Sequence, residues 1–286
     1  MKTIGVIGGS GLYQMEGLSE TESVCVETPW GVPSANPIIG TLGDTRIIFL
    51  PRHGTGHTIS PSEINFRANI YAMKALGAEW IISISAMGSL REEIEPGHVA
   101  IPDQFIDNTK RRLSTFFEGG MVAHVSMADP VCSPLCDCLF EAAVRCTETV
   151  HKGGTYVCIE GPQFSTRAES HLYRQWGADM IGMTAMPEAK LAREAEICYA
   201  TVALCTDYDC WNEKHEDVTV SEVIEIMNRN VAAAKKILAE AVRAIPEKRE
   251  CACRDALGCA LITPGKHVPP RTRDRLGIIA EKYMEK

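Results

Sequence analysis

The chain has 286 residues, is 45% hydrophobic and carries a formal net charge of −8. That is enough length and apolar content to bury one large core. No apolar run could span a bilayer, Met1-Lys2-Thr3 leads into a strand rather than a signal peptide, and no basic block with interleaved aromatics offers a nucleic-acid surface. The composition predicts a cytoplasmic protein acting on a small molecule, and an anionic substrate would need local arginine or backbone donors.

The first predicted strand, Lys2–Ile7, runs into Gly8-Gly9-Ser10-Gly11. Backbone N–H groups in such a turn can approach an anion unobstructed, and Ser10 adds a hydroxyl. A plain tight turn accounts for it equally well, because it is neither G-x-G-x-x-G nor a P-loop. Strands are predicted at Ser23–Glu27, Pro37–Leu42 and Thr45–Leu50. The last leads into Pro51-Arg52-His53-Gly54-Thr55-Gly56-His57, where Arg52 can take an anion in a forked contact and His53 can donate to another oxygen.

Ser60, Pro61 and Glu63 read as the capped start of a helix reaching Leu76. Trp80–Ala86 is an apolar strand suited to a sheet centre, and it ends in the small-residue turn Ser85-Ala86-Met87-Gly88-Ser89. A short strand, His98–Pro102, precedes Asn108–Met127, which is polar and aromatic without periodicity and so predicts a long functional loop holding His124. A helix over Pro134–Val150 and a strand over Thr155–Ile159 lead to Glu160-Gly161-Pro162-Gln163-Phe164-Ser165. Thr166 and Glu169 form a second capping box, and Phe164 is able to stack on a flat base or to pack inward. Ala178–Thr184 is a strand, Pro187–Glu196 a helix, and Ile197–Cys205 a buried strand.

Directly after it come Thr206-Asp207-Tyr208-Asp209-Cys210-Trp211. Two carboxylates one residue apart, past the C-terminal end of a buried strand, lie where α/β sheets hold ligands. They can accept from an amino group and, when protonated, donate to a ring nitrogen, although an isolated pair of this kind reads more readily as a solvated acidic turn. Thr219 and Glu222 cap a helix to Ile245, and a final helix spans Arg271–Tyr283.

The twelve cysteines include Cys132, Cys136 and Cys138, and Cys251, Cys253 and Cys259. No C-x-x-C pair and no histidine at a finger-like spacing occurs, so no metal site is expected, and all twelve thiols are expected to be reduced. Strands alternate with helices almost throughout. The fold class is therefore α/β: a single domain with a mixed, mostly parallel central sheet flanked by helices. The predicted division is a catalytic domain at 1–245 and a cysteine-bearing extension at 246–286.

The motifs Ile7-Gly8-Gly9-Ser10-Gly11-Leu12, Arg52-His53-Gly54 with His57-Thr58-Ile59, Gly88–Glu93, Ile159–Pro162 and Thr206–Trp211 occur in this order. Together they resemble the 5′-methylthioadenosine phosphorylases, in the trimeric branch of the purine nucleoside phosphorylase family. The resemblance covers residues 1–245. It implies a phosphate site at Ser10, Arg52, His53, Ser85, Ala86 and Thr184, with Met183 against the ribose. Asp207 and Asp209 would face N7 and the 6-amino group of the base, and Phe164 and Ser165 would line the base pocket. Val220, Val223 and Ile224 would form the methylthio pocket, closed by His124 from its own or a neighbouring subunit. The implied reaction is phosphorolysis with inorganic phosphate as co-substrate, without metal or organic cofactor, in a homotrimer or a dimer of trimers. The alternatives are a phosphorylase for 6-oxo purine nucleosides or methylthioinosine, and a non-catalytic nucleotide-binding module.

Overall fold

The structure, a computed structural model, describes residues 1–9, 12–212 and 220–284, the side chains of 220–229 excepted. Ser10, the helix cap Thr219 and the side chains of Val220, Glu222, Val223 and Ile224 lie outside the described residues.

One eleven-stranded sheet organises the chain. Its centre is β5 (Trp80–Ser89), flanked by β1 (Thr3–Gly8) and β11 (Cys198–Asp207), both parallel to it. All three strands are buried almost end to end and rich in Ile, Val and Ala, as strands covered on both faces must be. Beyond β1 lie β4 (Thr45–Pro51, parallel), β3 (Ile38–Leu42) and β2 (Ser19–Ser23), the last two antiparallel to their neighbours. On the other flank, β11 pairs with β6 (Val99–Ile101), which pairs with β8 (Val150–Lys152). A branch leaves the end of β5: β10 (Met180–Gly182) pairs antiparallel with Gly88 and Ser89, then continues parallel through β9 (Thr155–Ile159) to β7 (Gln104–Asn108).

Helices α1 (Phe66–Ala75), α2 (Ser133–Cys146), α3 (Arg167–Gln175), α4 (Ala185–Glu194) and α5 (Val220–Ala244) flank the sheet, followed by the short α6 (Pro270–Leu276) and α7 (Glu281–Met284). The single-domain mixed sheet agrees with the sequence reading. Residues 246–284 pack on the same core through Cys253, Leu257, Val268, Leu276 and Ile279. Lys2 Nζ also donates to Ile245 O at 2.5 Å, tying the start of the chain to the end of α5.

Several local expectations differ from the structure; the final helix, expected over Arg271–Tyr283, is split into α6, a 3-10 turn at Gly277–Ile279 and α7. The strand expected at Ser23–Glu27 forms at Ser19–Ser23, an exposed edge whose side chains carry no alternation to read. Ser60 and Glu63 do bond, Oγ to Oε2 at 2.6 Å, but they close a turn. The N-cap is Asn65, whose side chain accepts from Ala68 N. The strand β7 falls at the start of the segment expected to be loop, whereas the capping box of Thr166 and Glu169 forms as expected.

Candidate active site

Because β1, β4, β5 and β11 run parallel, their C-terminal ends open on one edge, and the residues singled out from sequence collect there. Asp207 ends β11 beside a register shift against β5. Its Oδ2 accepts from Thr206 Oγ1 at 2.6 Å and its Oδ1 from Asp209 N at 2.8 Å. The second bond closes a side-chain-capped turn that holds Asp209 at φ +50°, a left-handed conformation that Asp tolerates better than most residues. Gly88 makes room for this turn: a Cβ there would stand 2.8 Å from Asp207 Oδ1 and 3.0 Å from Ile181 Cγ2.

Burial raises the carboxyl of Asp207 above its ordinary range, against the opposing bonds from Thr206 and the Asp209 amide. Burial also raises that of Asp209, and the neighbouring Asp207 adds to it. Asp209 is 7% exposed, and its Oδ2 has no hydrogen-bond partner among the described residues. The hydroxyls of Ser165 and Ser170 favour its ionised form, yet each lacks a well-formed hydrogen bond of its own. Cys210 Sγ donates to Ser165 O at 3.2 Å, which fixes the Gly161–Ser165 loop against the Asp pair. Trp211 closes the turn through Nε1 to Ser89 O at 2.7 Å, with the Arg174 guanidinium 3.5 Å from its ring centroid.

The hydroxyls of Ser85 and Thr184 meet at 3.2 Å, as the antiparallel branch from β5 to β10 requires. Ala86 follows Ser85 on β5, and Met183 precedes Thr184 at the start of α4. Arg112 sets the position of Met183. Its guanidinium donates to the carbonyls of Met183 and Met186 at 2.6 Å and of Glu160 at 2.7 Å, stapling two loops together.

Arg52 requires a correction. The forked contact that the sequence assigns to an anion is made instead to Glu188: Nε to Oε2 at 2.8 Å and Nη2 to Oε1 at 3.0 Å. Further bonds run from Nη2 to Ser83 Oγ and Ile7 O and from Nη1 to Ile84 O. With five N–H groups on a guanidinium, one hydrogen on Nη1 is left for an anion. The physical reason is burial: Arg52 is 2% exposed and Glu188 0%, so each requires the other's charge.

His53 also differs in its role as donor. Its Nδ1 lies 2.9 Å from Ile59 O and must donate there, which leaves Nε2 an acceptor in the neutral ring. Burial, with Arg52 adjacent, lowers the imidazole to about 4, so the ring is neutral at physiological pH. Its ring stacks on His57 with centroids 4.2 Å apart.

Phe164 is 47% exposed, so inward packing does not account for it. His124 is not brought to the site in this subunit. Its amide donates to Ala260 O beside the Ala123–Leu261 bridge, and among the described residues no hydrogen bond or ring contact joins it to the Asp pair. The sequence reading missed Glu188, one acid in a helix rich in Ala, Glu and Lys, and Arg112, one cation in an aperiodic loop. No local signal marks Arg112. Glu188 follows a proline in the first turn of α4, directly after Thr184, and that position was its only sign.

The sequence model of the Phosphorylase superfamily matches residues 3–243. The chain belongs to the phosphorylase superfamily. Among its members, the S-methyl-5′-thioadenosine phosphorylase of Geobacter sulfurreducens is 57% identical over 284 residues, 99% of each chain. That of Koribacter versatilis is 52% identical over 98% of this chain and 96% of its own. A methylthioadenosine phosphorylase from an antarctic soil metagenomic library superposes with a TM-score of 0.93 at 50% identity, covering 97% of this chain and 98% of its own. Methylthioadenosine phosphorylase from Schistosoma mansoni, in complex with adenine, superposes at 0.82 with 37% identity, over 90% and 96% of the two chains. Within the phosphorylase superfamily the chain is thus an enzyme of the methylthioadenosine phosphorylase family. Among the described residues no helix is long and apolar enough to cross a membrane.

Proposed function

We propose that this phosphorylase cleaves S-methyl-5′-thioadenosine with inorganic phosphate, giving adenine and 5-methylthio-α-D-ribose 1-phosphate. The observation that carries the reading is Asp209 Oδ2, buried and, among the described residues, without a well-formed hydrogen bond, beside the Ser165 and Ser170 hydroxyls. A buried carboxylate oxygen left unpaired is costly, and the 6-amino group of adenine is the donor that would satisfy it.

Phosphate would be held by the Ser85 and Thr184 hydroxyls, by Ser10 and the backbone at Ala86, and by the last hydrogen of Arg52 Nη1. His53 Nε2 would accept from the phosphate's own hydroxyl. This set works by positioning the nucleophile on C1′ of the ribose, packed by Met183. As the C1′–N9 bond breaks, positive charge develops on the sugar and negative charge on the base. Asp207, whose carboxyl burial keeps easier to protonate, passes its proton to N7, so the base leaves as neutral adenine. Asp209 accepts from the 6-amino group, and Phe164 and Ser165 border the ring. Val220, Val223 and Ile224 are proposed to receive the methylthio group, where a hydroxyl would find no partner.

Phosphate is the co-substrate, and no metal or organic cofactor enters the step. The assembly belongs to the same proposal: a cytoplasmic homotrimer or pair of trimers in which His124 reaches a neighbour's pocket. Titration calorimetry with adenine and hypoxanthine tests the base assignment. Adenine should bind at least roughly tenfold tighter, since one charge-assisted hydrogen bond is worth about 1.5–3 kcal/mol. Equal affinities would remove Asp209 from the base site.

A further inference from the structure

At the opposite end of β11 from the Asp pair, four thiols meet. The Sγ atoms of Cys132, Cys198, Cys251 and Cys253 all lie within 4.8 Å of one another, with Cys132 to Cys251 at 3.7 Å and Cys198 to Cys251 at 3.2 Å. We propose that these four cysteines form a tetrahedral thiolate site for a thiophilic divalent metal ion of the zinc class, which anchors residues 246–284 to the sheet.

A zinc–sulfur bond of about 2.3 Å in a tetrahedron sets the sulfurs about 3.8 Å apart, which the distances between these thiols approach without rearrangement of the backbone. Four sulfurs mutually close differ from two separate pairs, the arrangement that two disulfides need. Disulfides would also require an oxidant to remove two electrons per bond, whereas metal binding needs only that the four S–H groups release their protons to solvent. The resulting complex carries a net charge of −2, and Arg193 Nη1 already donates to Cys253 Sγ at 3.7 Å, where it would offset part of that charge.

The ligands come from rigid supports. Cys132 is the N-cap of α2, and its amide donates to Tyr199 O at 2.8 Å. Cys198 opens β11 and donates to Glu79 O at 3.0 Å. Cys251 and Cys253 flank one residue at the 3-10 turn Ala252–Asp255, next to the amide of Leu257, which donates to Glu196 Oε1 at 3.1 Å. A cleft of about 560 Å³, lined in part by Trp80, Cys132, Cys138, Ile245 and Cys251, gives an ion a way in. No single stretch reveals the set, because its members stand at 132, 198 and 251–253, with no C-x-x-C among them.

The test uses the full chain purified without chelators. Elemental analysis should find about one zinc or iron per chain, and which of the two is present names the metal. Cobalt exchanged into the site should show the intense visible and sulfur charge-transfer bands of a tetrahedral four-thiolate complex. Chelation after displacement by a mercurial should lower the melting temperature. Cys253→Ser and Cys198→Ser should lose the metal and the cobalt bands, while Cys25→Ser and Cys259→Ser, both at exposed positions, should keep them. If the serine variants do not fold, the cobalt spectrum of the parent chain decides alone. A metal-free chain that also fails to bind zinc or cobalt when reduced would overturn the proposal. So would a denatured, unreduced chain lacking two or four titratable thiols, or metal retained when all four cysteines are replaced.

Discussion

Replacing Glu188 by glutamine removes one negative charge from the best-buried ion pair near the site and leaves its shape almost unchanged. Glu188 receives both arms of the Arg52 fork at 2.8 and 3.0 Å and the Tyr199 hydroxyl at 2.9 Å. In Glu188→Gln the amide nitrogen must face either the Arg52 donors or the tyrosine hydroxyl, and the guanidinium keeps a charge with no counter-ion inside the core. Breaking one side of a buried pair costs about 3–5 kcal/mol, against about 0–1 kcal/mol for a surface pair. At about 2–4 °C per kcal/mol for a chain of this size, the melting temperature should fall by roughly 6–20 °C. The KM for phosphate should change as well, because the fork is released from its position. Replacing Arg52 and Glu188 together with methionines should restore most of the melting temperature while abolishing phosphate use, which separates the structural cost from the functional one. Calorimetric melting and phosphate-dependence curves on the three variants check this. A Glu188→Gln protein melting within about 2 °C of the parent, below what even 1 kcal/mol implies, would refute the claim that Arg52 depends on Glu188.

Three further outcomes are expected. Asp209→Asn should lose roughly ten- to a hundredfold on methylthioadenosine, the equivalent of about 1.5–3 kcal/mol, and gain relative activity on methylthioinosine; an unchanged ratio of the two rates counts against the base assignment. His53 is neutral in the fold down to about 4 but protonates near its ordinary value when unfolded, so the unfolded state binds more protons between these limits. Stability therefore falls on acidification through that window by on the order of 1–3 kcal/mol, and His53→Gln should flatten the melting-temperature-versus-pH curve there; a parallel curve would exclude it. Gly88→Ala should cost about 1–3 kcal/mol by crowding and lower kcat more than it lowers the melting temperature, because the added Cβ meets Asp207 Oδ1 at 2.8 Å; normal kcat would contradict the packing argument.

What the sequence made legible follows from the range of the forces involved. The capping box of Thr166 and Glu169 and the buried strands β5 and β11 are set by neighbours a few residues away, and they form where expected, although β5 runs on to Ser89 through the expected turn and β11 to Asp207. Thr184, Asp207 and Asp209 were legible because each stands at or just past the end of a strand, where an α/β sheet gathers its ligands, and Ser85 because it lies in the C-terminal half of β5. Glu188 looked like one more acid on a helix, and only Arg52, 136 residues away, makes it a core residue. Arg112 and the four clustered cysteines were hidden for the same reason, since their partners come from distant segments. The Asn65 cap was missed because Ser60 and Glu63 carry the residue pattern of a capping box but bond to each other around a turn that does not continue as helix.

The central claim is that this site breaks the glycosidic bond of an adenine thionucleoside with phosphate. Its most direct test is phosphate-dependent turnover of methylthioadenosine, adenosine, methylthioinosine and inosine, measured side by side with both products identified. The account predicts adenine and a methylthioribose 1-phosphate from methylthioadenosine, formed only when phosphate is present. It also predicts slower reaction of adenosine and little of either 6-oxo nucleoside. Turnover without phosphate, or inosine cleaved as fast as methylthioadenosine, would contradict it.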